Sequence, residues 1–143
     1  MYKQSSTNLD RPQEGLPWKV IGSIGVHAFI GWALCTASMA IGMATMTIEN
    51  ALIVHAVGAP IFFTIVSLSY FRRFSYTTPL QTAILFVGFV ILMDLFVVAL
   101  LVLRNFEMFT SVLGTWIPFS LIFISTYLTG RLVATGAEPA PIA

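Results

Sequence analysis

Apolar residues fill most of the chain in four long stretches, which are separated by short polar segments. They cover residues 20–42, 51–71, 80–103 and 109–129. A helix that crosses the hydrocarbon core of a bilayer needs about 20 predominantly apolar residues, and each stretch reaches that length. The pattern therefore predicts an all-α membrane protein built as a bundle of four transmembrane helices.

Polar residues mark the ends of these stretches. Glu49 and Asn50 precede the second stretch, where a carboxylate and a capping amide suit a helix N-terminus. Pro79 opens the third, and Arg104 follows it. We therefore expect three parts: a polar cytoplasmic N-terminal segment, a transmembrane domain and a flexible C-terminal tail. They cover residues 1–18, 19–131 and 132–143.

The composition supports a membrane domain and excludes several other classes. Hydrophobic residues make up 57% of the chain and charged residues 9%, against about 25% charged residues in soluble domains. Seven basic residues almost balance six acidic ones, so we expect no nucleic-acid partner. Cys35 is the only cysteine, which excludes an intrachain disulfide and a two-cysteine zinc motif. We predict no metal site and no cofactor, and the lipid bilayer as the main partner.

The basic residues divide unequally between the two sides of a four-span arrangement. One side carries six of them and the other carries only Arg104, together with Glu49 and Glu107. The six are Lys3, Arg11, Lys19, Arg72, Arg73 and Arg131. Cytoplasmic loops are enriched in Lys and Arg, so both termini are predicted to be cytoplasmic, in a membrane of the bacterial inner-membrane type.

Small and polar residues recur at helical spacing along the first stretch. They are Ser23, His27, Gly31, Cys35, Ser38 and Gly42. Steps of three and four residues place them on one face of a helix, and small residues let membrane helices approach closely. We expect this face to be a packing seam toward the interior of the bundle. Pro60 and Pro118 lie inside the second and fourth stretches and are predicted to kink those helices.

Three strongly polar ionisable residues lie within the stretches: His27, His55 and Asp94. Ionisable groups at membrane depth are costly and therefore mark candidate functional sites. At a rise of 1.5 Å per residue, His55 lies about 6 Å and Asp94 about 13 Å below the outer face. His27 lies about 20 Å from that face, so the two histidines differ in depth by roughly 14 Å.

This stepped arrangement separates the chemical alternatives. Two histidines that bind one haem iron need similar depths, so a shared haem or a site combining all three residues is disfavoured. A carboxylate can pair with an imidazole, and chains of Asp and His carry protons in transporters. His27, His55 and Asp94 are therefore candidates for a proton relay or an interhelical polar network. No catalytic motif occurs, and we assign no catalytic residue.

Two classes of function compete. We expect a non-catalytic accessory or structural membrane subunit, which packs as a homo-oligomer or within a larger membrane complex. The alternative is a small-solute or proton-coupled transporter that uses His27, His55 and Asp94. Four helices are expected to enclose little volume, so a transporter would need an oligomer or a narrow path. A haem-binding membrane redox protein with a single histidine ligand is the third candidate.

Overall fold

The computed structural model describes residues 16–136, and over that range it contains helices and no strand. Helix α1 covers Leu16–Thr45 and α2 covers Ile48–Arg73. The third span is α3, Pro79–Met93, continued by a π-helix, π1, over Asp94–Leu103. After a 3₁₀ turn at Glu107–Thr110, the fourth span begins as a short π-helix, π2, over Val112–Trp116 and continues as α4, Ile117–Gly136.

The predicted all-helical fold with four long apolar helices is confirmed, and each helix is long and apolar enough to cross a membrane. The helices exceed the apolar stretches at most ends, because helical hydrogen bonding continues into the polar boundary. Helix α4 ends at Gly136 and so takes in the first residues of the predicted tail. Residues 1–15 and 137–143, which hold most of the predicted terminal segments, lie outside the described range.

The start of α3 shows how local sequence sets a boundary. The Thr78 hydroxyl accepts a hydrogen bond from the Gln81 amide at 3.3 Å. In return, the Thr78 amide donates to the Gln81 side chain at 3.1 Å. Pro79 occupies the first helical turn, where its missing N–H costs nothing. This capping box satisfies two donors that a helix start otherwise leaves unpaired.

The four spans form a ring in the order α1, α2, α4, α3. Helix α2 packs against α1 and α4, and α3 packs against α4 and α1. Segment π1 differs from the rest, because its substantial backbone contacts are only with α3, which it continues. Ala99 is its one buried residue among those described. The backbone of the second half of the third span is therefore set back from the other helices, although the Val97 and Val98 side chains pack against the core.

Aromatic side chains fill the half of the bundle nearer to the chain termini. The rings of Phe63 and Phe86 meet edge to face at 5.9 Å, and those of Tyr70 and Phe86 at 6.0 Å. All three side chains have no exposed surface. The Ser67 hydroxyl also donates to that of Thr126 at 3.2 Å. Dense packing and a satisfied polar pair close this half of the bundle.

Glycines allow the close approach of helices in this packed half. A β-carbon on Gly31 of α1 would lie 2.7 Å from the Phe63 ring of α2, and one on Gly130 would lie 2.6 Å from the Phe71 ring. At the opposite end of the bundle, Gly42 likewise abuts Ala51. Cys35 of the predicted seam is also buried, while Ser23 and Ser38 are half-buried.

The two prolines occupy different kinds of position. Pro60 lies within α2, where the Thr64 hydroxyl donates to its carbonyl at 2.7 Å. Pro118 lies where π2 gives way to α4: the Ile117 amide donates to the Val112 carbonyl, five residues back. Proline has no amide to continue that π pattern. The bends of the helix axes at Pro60 and Pro118 stay predictions.

Replacing Gly31 with alanine should destabilise the bundle, because the new methyl group overlaps the buried Phe63 ring. We expect a loss of about 1–3 kcal/mol in the free energy of unfolding, typical of overpacking. Unfolding in mixed detergent micelles with increasing dodecyl sulfate measures it. Gly25→Ala is the matched control on the same helix, because among the described residues no atom beyond its chain neighbours and its own helix backbone lies within 4 Å of its added β-carbon. Equal effects of the two substitutions would contradict the close packing.

Candidate functional site

A cavity of about 540 Å³ lies among the four spans in the half of the bundle away from the termini. Its deep end is at Trp32, Asp94 and Ile122, near the middle of the spans. From there it extends to Leu103 and Met108, beside the connection between the third and fourth spans. The cavity is partly open, because lining residues such as Met43 and Val102 are also exposed at the surface.

The cavity lies where the third span changes from α to π. The third span changes from α to π at Asp94, and from that residue onward its backbone leaves the packed ring. Asp94, Val98 and Val102 then form one wall, facing side chains of α1, α2 and the fourth span. π-helical segments occur frequently at functional sites, since they re-aim side chains within a helix.

Asp94 is held at the deep end by Trp32. The indole N–H of Trp32 donates to Oδ1 of Asp94 at 2.8 Å, and Trp32 is only 8% exposed. Among the described residues, this is the only hydrogen bond to the carboxyl group, so Oδ2 accepts none. One oxygen is thus fixed by the fold, while the other is free to bind a group in the cavity.

His55 lines the same cavity from α2. Its Nδ1 atom is buried and has no hydrogen-bond partner within the described range. Leaving a buried polar atom unpaired costs about 1–3 kcal/mol. This atom makes no hydrogen bond that would hold α2 to another helix of the described range. This nitrogen therefore favours a role in binding over a role in holding the helices together.

His27 occupies a separate place. It borders a shallow hollow of about 360 Å³ near the end of the bundle that carries Lys19 and Tyr76. Its Nδ1 donates to the Ser23 carbonyl at 2.7 Å, and its ring meets that of Tyr70 edge to face at 5.6 Å. The hollow and the cavity share no lining residue.

The structure thus brings together two of the three predicted residues and leaves the third apart. His55 and Asp94 line one cavity, and His27 does not. Asp94 pairs with Trp32 instead of with a histidine. Because the histidines border separate cavities, this arrangement gives no support to an iron site shared by them. The described residues also hold no cluster of three or more His, Cys, Asp or Glu side chains suited to a metal ion.

Trp32 is the site residue that sequence reasoning missed, although the depth argument contained the signal. It lies twelve residues past Val20, so its depth is about 18 Å above the inner face. Asp94, about 13 Å below the outer face of a 30 Å core, lies about 17 Å above the inner one. The two residues are level, and an indole N–H is a donor that suits a carboxylate.

No protein-family model matches the chain, and neither a curated protein nor a solved structure shows significant similarity to it. The cavity and its side chains therefore carry the functional argument alone.

The Trp32–Asp94 hydrogen bond should appear as a coupling energy in a double-mutant cycle of Trp32→Phe and Asp94→Leu. We expect a coupling of about 1 kcal/mol, the usual scale of such bonds in membrane proteins. Unfolding of the parent, both single variants and the double variant measures it. Trp116→Phe with Asp94→Leu is the control cycle, because the Trp116 indole donates to the Phe109 carbonyl. A coupling as large in the control cycle would disprove a specific pair.

Proposed function

We propose that the protein is a small-solute transporter of the membrane, with the cavity beside Trp32, His55 and Asp94 as its substrate site. The observation that carries this proposal is the one-sided shape of the bundle. A cavity of about 540 Å³ reaches from one end to Asp94 in the middle, while aromatic packing fills the opposite half. A carrier that exposes its site to one side at a time has this asymmetry.

The loosely packed π1 segment supports the same proposal. Transport requires the packed half to open and the cavity to close, so at least one wall has to move. Segment π1 forms a wall of the cavity and has substantial backbone contacts only with α3. Elements with few tertiary contacts are those that move most readily. Asp94 lies at the junction where such a movement would change the position of its carboxyl group.

The accessory-subunit interpretation stays an untested prediction. An accessory role would not require a cavity that ends at a carboxyl group with one unpaired oxygen. A homo-oligomer or a larger complex is compatible with either function. Recovery of a stoichiometric partner in mild detergent would support the accessory role.

We further propose that both termini are cytoplasmic, in a membrane of the bacterial inner-membrane type, so that the cavity opens to the opposite side. The support is the distribution of basic residues. Lys19, Arg72, Arg73 and Arg131 lie at the packed end of the bundle. Arg104 lies at the other end, with Glu49 and Glu107. The excess of Lys and Arg favours a cytoplasmic position for the packed end.

Cysteine labelling in intact cells tests this orientation. In a background where Cys35 is replaced by alanine, Asn105→Cys should react with a membrane-impermeant maleimide. Thr135→Cys should react only after the cells are opened. Both positions are exposed in the structure, so burial does not account for a difference. The reverse labelling pattern would invert the proposed topology and with it the side to which the cavity opens.

Filling the cavity should abolish ligand binding and transport. Thr36→Phe places a large ring in the cavity, whereas Ala37→Phe, one residue further along α1, places it on the exposed surface. A panel of small solutes is screened for thermal stabilisation of the purified parent protein, and each hit is assayed for uptake into proteoliposomes. We expect Thr36→Phe to lose both the thermal stabilisation by these solutes and their uptake, and Ala37→Phe to keep both.

Two results would count against the proposal. If solutes stabilise the protein but are not taken up into proteoliposomes, the protein binds these solutes without transporting them. Equal loss in both phenylalanine variants would show that added bulk, and not occupation of the cavity, is responsible.

A further inference from the structure

We infer that the cavity takes an organic cation, a molecule with an apolar body and one positively charged ammonium or phosphonium group that pairs with Asp94. This inference rests on the proposed function, because it names the class of ligand for the same cavity. Its support comes from the charges, the aromatic groups and the walls of the cavity.

In the described structure, the cavity offers one carboxyl group and no fixed positive charge. Asp94, His55 and Cys35 are its ionisable residues, and no Lys or Arg of the described range lines it. An anionic ligand would therefore find no fixed positive counter-charge at membrane depth, where an unpaired charge is costly. A cationic ligand would find a carboxylate, which is the opposite charge that its burial requires.

The carboxyl group is also positioned to accept such a ligand. Oδ1 of Asp94 is held by the Trp32 indole at 2.8 Å, while Oδ2 has no partner in the described structure. A group held in place before binding loses less entropy when the ligand arrives. Trp32 and Phe119 both line the cavity, and aromatic rings attract cations through their negative faces.

The walls suit a bulky apolar body. Three methionines, Met39, Met43 and Met108, line the cavity together with aliphatic side chains. Methionine is flexible and polarisable, so such surfaces adapt to ligands of different shape. The volume of about 540 Å³ lies within the range of pockets that hold drug-sized molecules. Recognition therefore depends on one charge and on general apolar contact.

Protons should compete with the cation. A protonated Asp94 has no charge to offer. Facing it across the cavity are Cys35 and Trp32 of α1 and His55 of α2, and the fourth span contributes no ionisable side chain there. Protonation of His55 would add a positive charge to the same cavity. Both protonations act against a cationic ligand, so its binding weakens as the pH falls.

Two probes of similar shape test the inference: tetraphenylphosphonium, whose charge does not titrate, and neutral triphenylphosphine oxide. Equilibrium dialysis measures their binding to the protein in phosphatidylcholine nanodiscs, with empty nanodiscs as the blank. We expect the cation to bind the parent protein and Asp94→Asn to weaken that binding about tenfold or more, as for loss of a partly buried charge pair. Binding of the neutral probe should be unchanged, because asparagine can still accept the Trp32 hydrogen bond.

Matched variants control for other charges. Glu49→Gln and Glu107→Gln remove carboxylates that do not line the cavity and should leave cation binding unaltered. Cation binding by the parent protein should fall between pH 8 and pH 5. In His55→Gln the decrease should persist through Asp94, and in Asp94→Asn it should be much smaller. If Asp94→Asn fails to fold, the pH dependence of cation binding by the parent and by His55→Gln still tests whether protonation competes with the cation.

The outcomes separate this inference from the proposed function. If the parent protein binds the neutral probe but not the cation, or if Asp94→Asn binds the cation as tightly as the parent, the inference is overturned and the cavity remains a ligand site. Cation binding that does not change with pH would also overturn it. If neither probe binds, the inference fails; if the solute screen also yields no hits, the cavity is no substrate site and the proposed function fails too.

Discussion

The hydrogen bond between Trp32 and Asp94 is the interaction on which the arrangement of the third span depends. A carboxyl group in the middle of a membrane helix cannot face lipid without a large cost, so it has to find a partner inside the bundle. The indole of α1 provides one at 2.8 Å and ties the first span to the third near mid-membrane. Beyond this point π1 has substantial backbone contacts only with α3, and the cavity begins. One polar contact thus marks the boundary between a packed half and an open half.

The packed half is held by a different kind of interaction. Membrane helices gain little from burying apolar surface, since lipid is equally apolar, and they associate through close packing and hydrogen bonds instead. Gly31 and Gly130 let aromatic rings approach the helix backbones, and the Ser67–Thr126 hydrogen bond joins α2 to α4. Segment π1 contains one small buried residue, Ala99, and its other residues are mainly aliphatic, half of the segment being exposed. The asymmetry of the molecule follows from where its small and polar residues are placed.

Periodicity and length were enough to predict four helices, because membrane spans are set by hydrophobic thickness. The capping box at Thr78 could likewise be anticipated from its neighbours. The π-helix at Asp94 could not, since a change from α to π depends on tertiary contacts and leaves no clear trace in a run of aliphatic residues. Including Asp94 among the three candidate residues required only its charge within an apolar stretch. Its partner follows only from a comparison of depths across helices, and a prediction based on ionisable residues alone passes over Trp32. His27 was predicted to join His55 and Asp94 in one relay or polar network, whereas it borders a separate hollow.

Whether Asp94 merely fastens helices or also binds a ligand can be argued from what its neighbourhood leaves unsatisfied. A purely structural polar contact saturates its groups, because every unpaired buried atom reduces the stability that the contact provides. Here Oδ2 of Asp94 and Nδ1 of His55 have no partners among the described residues, and both residues line the same cavity. His27, by contrast, pairs its Nδ1 with the Ser23 carbonyl and packs against Tyr70, as a structural residue does. His27 thus has one nitrogen paired within its own helix, whereas Nδ1 of His55 is buried without a partner, as is the Ser23 hydroxyl beside His27 in the described range. The unpaired atoms at His55 and Asp94 therefore favour ligand binding at that cavity.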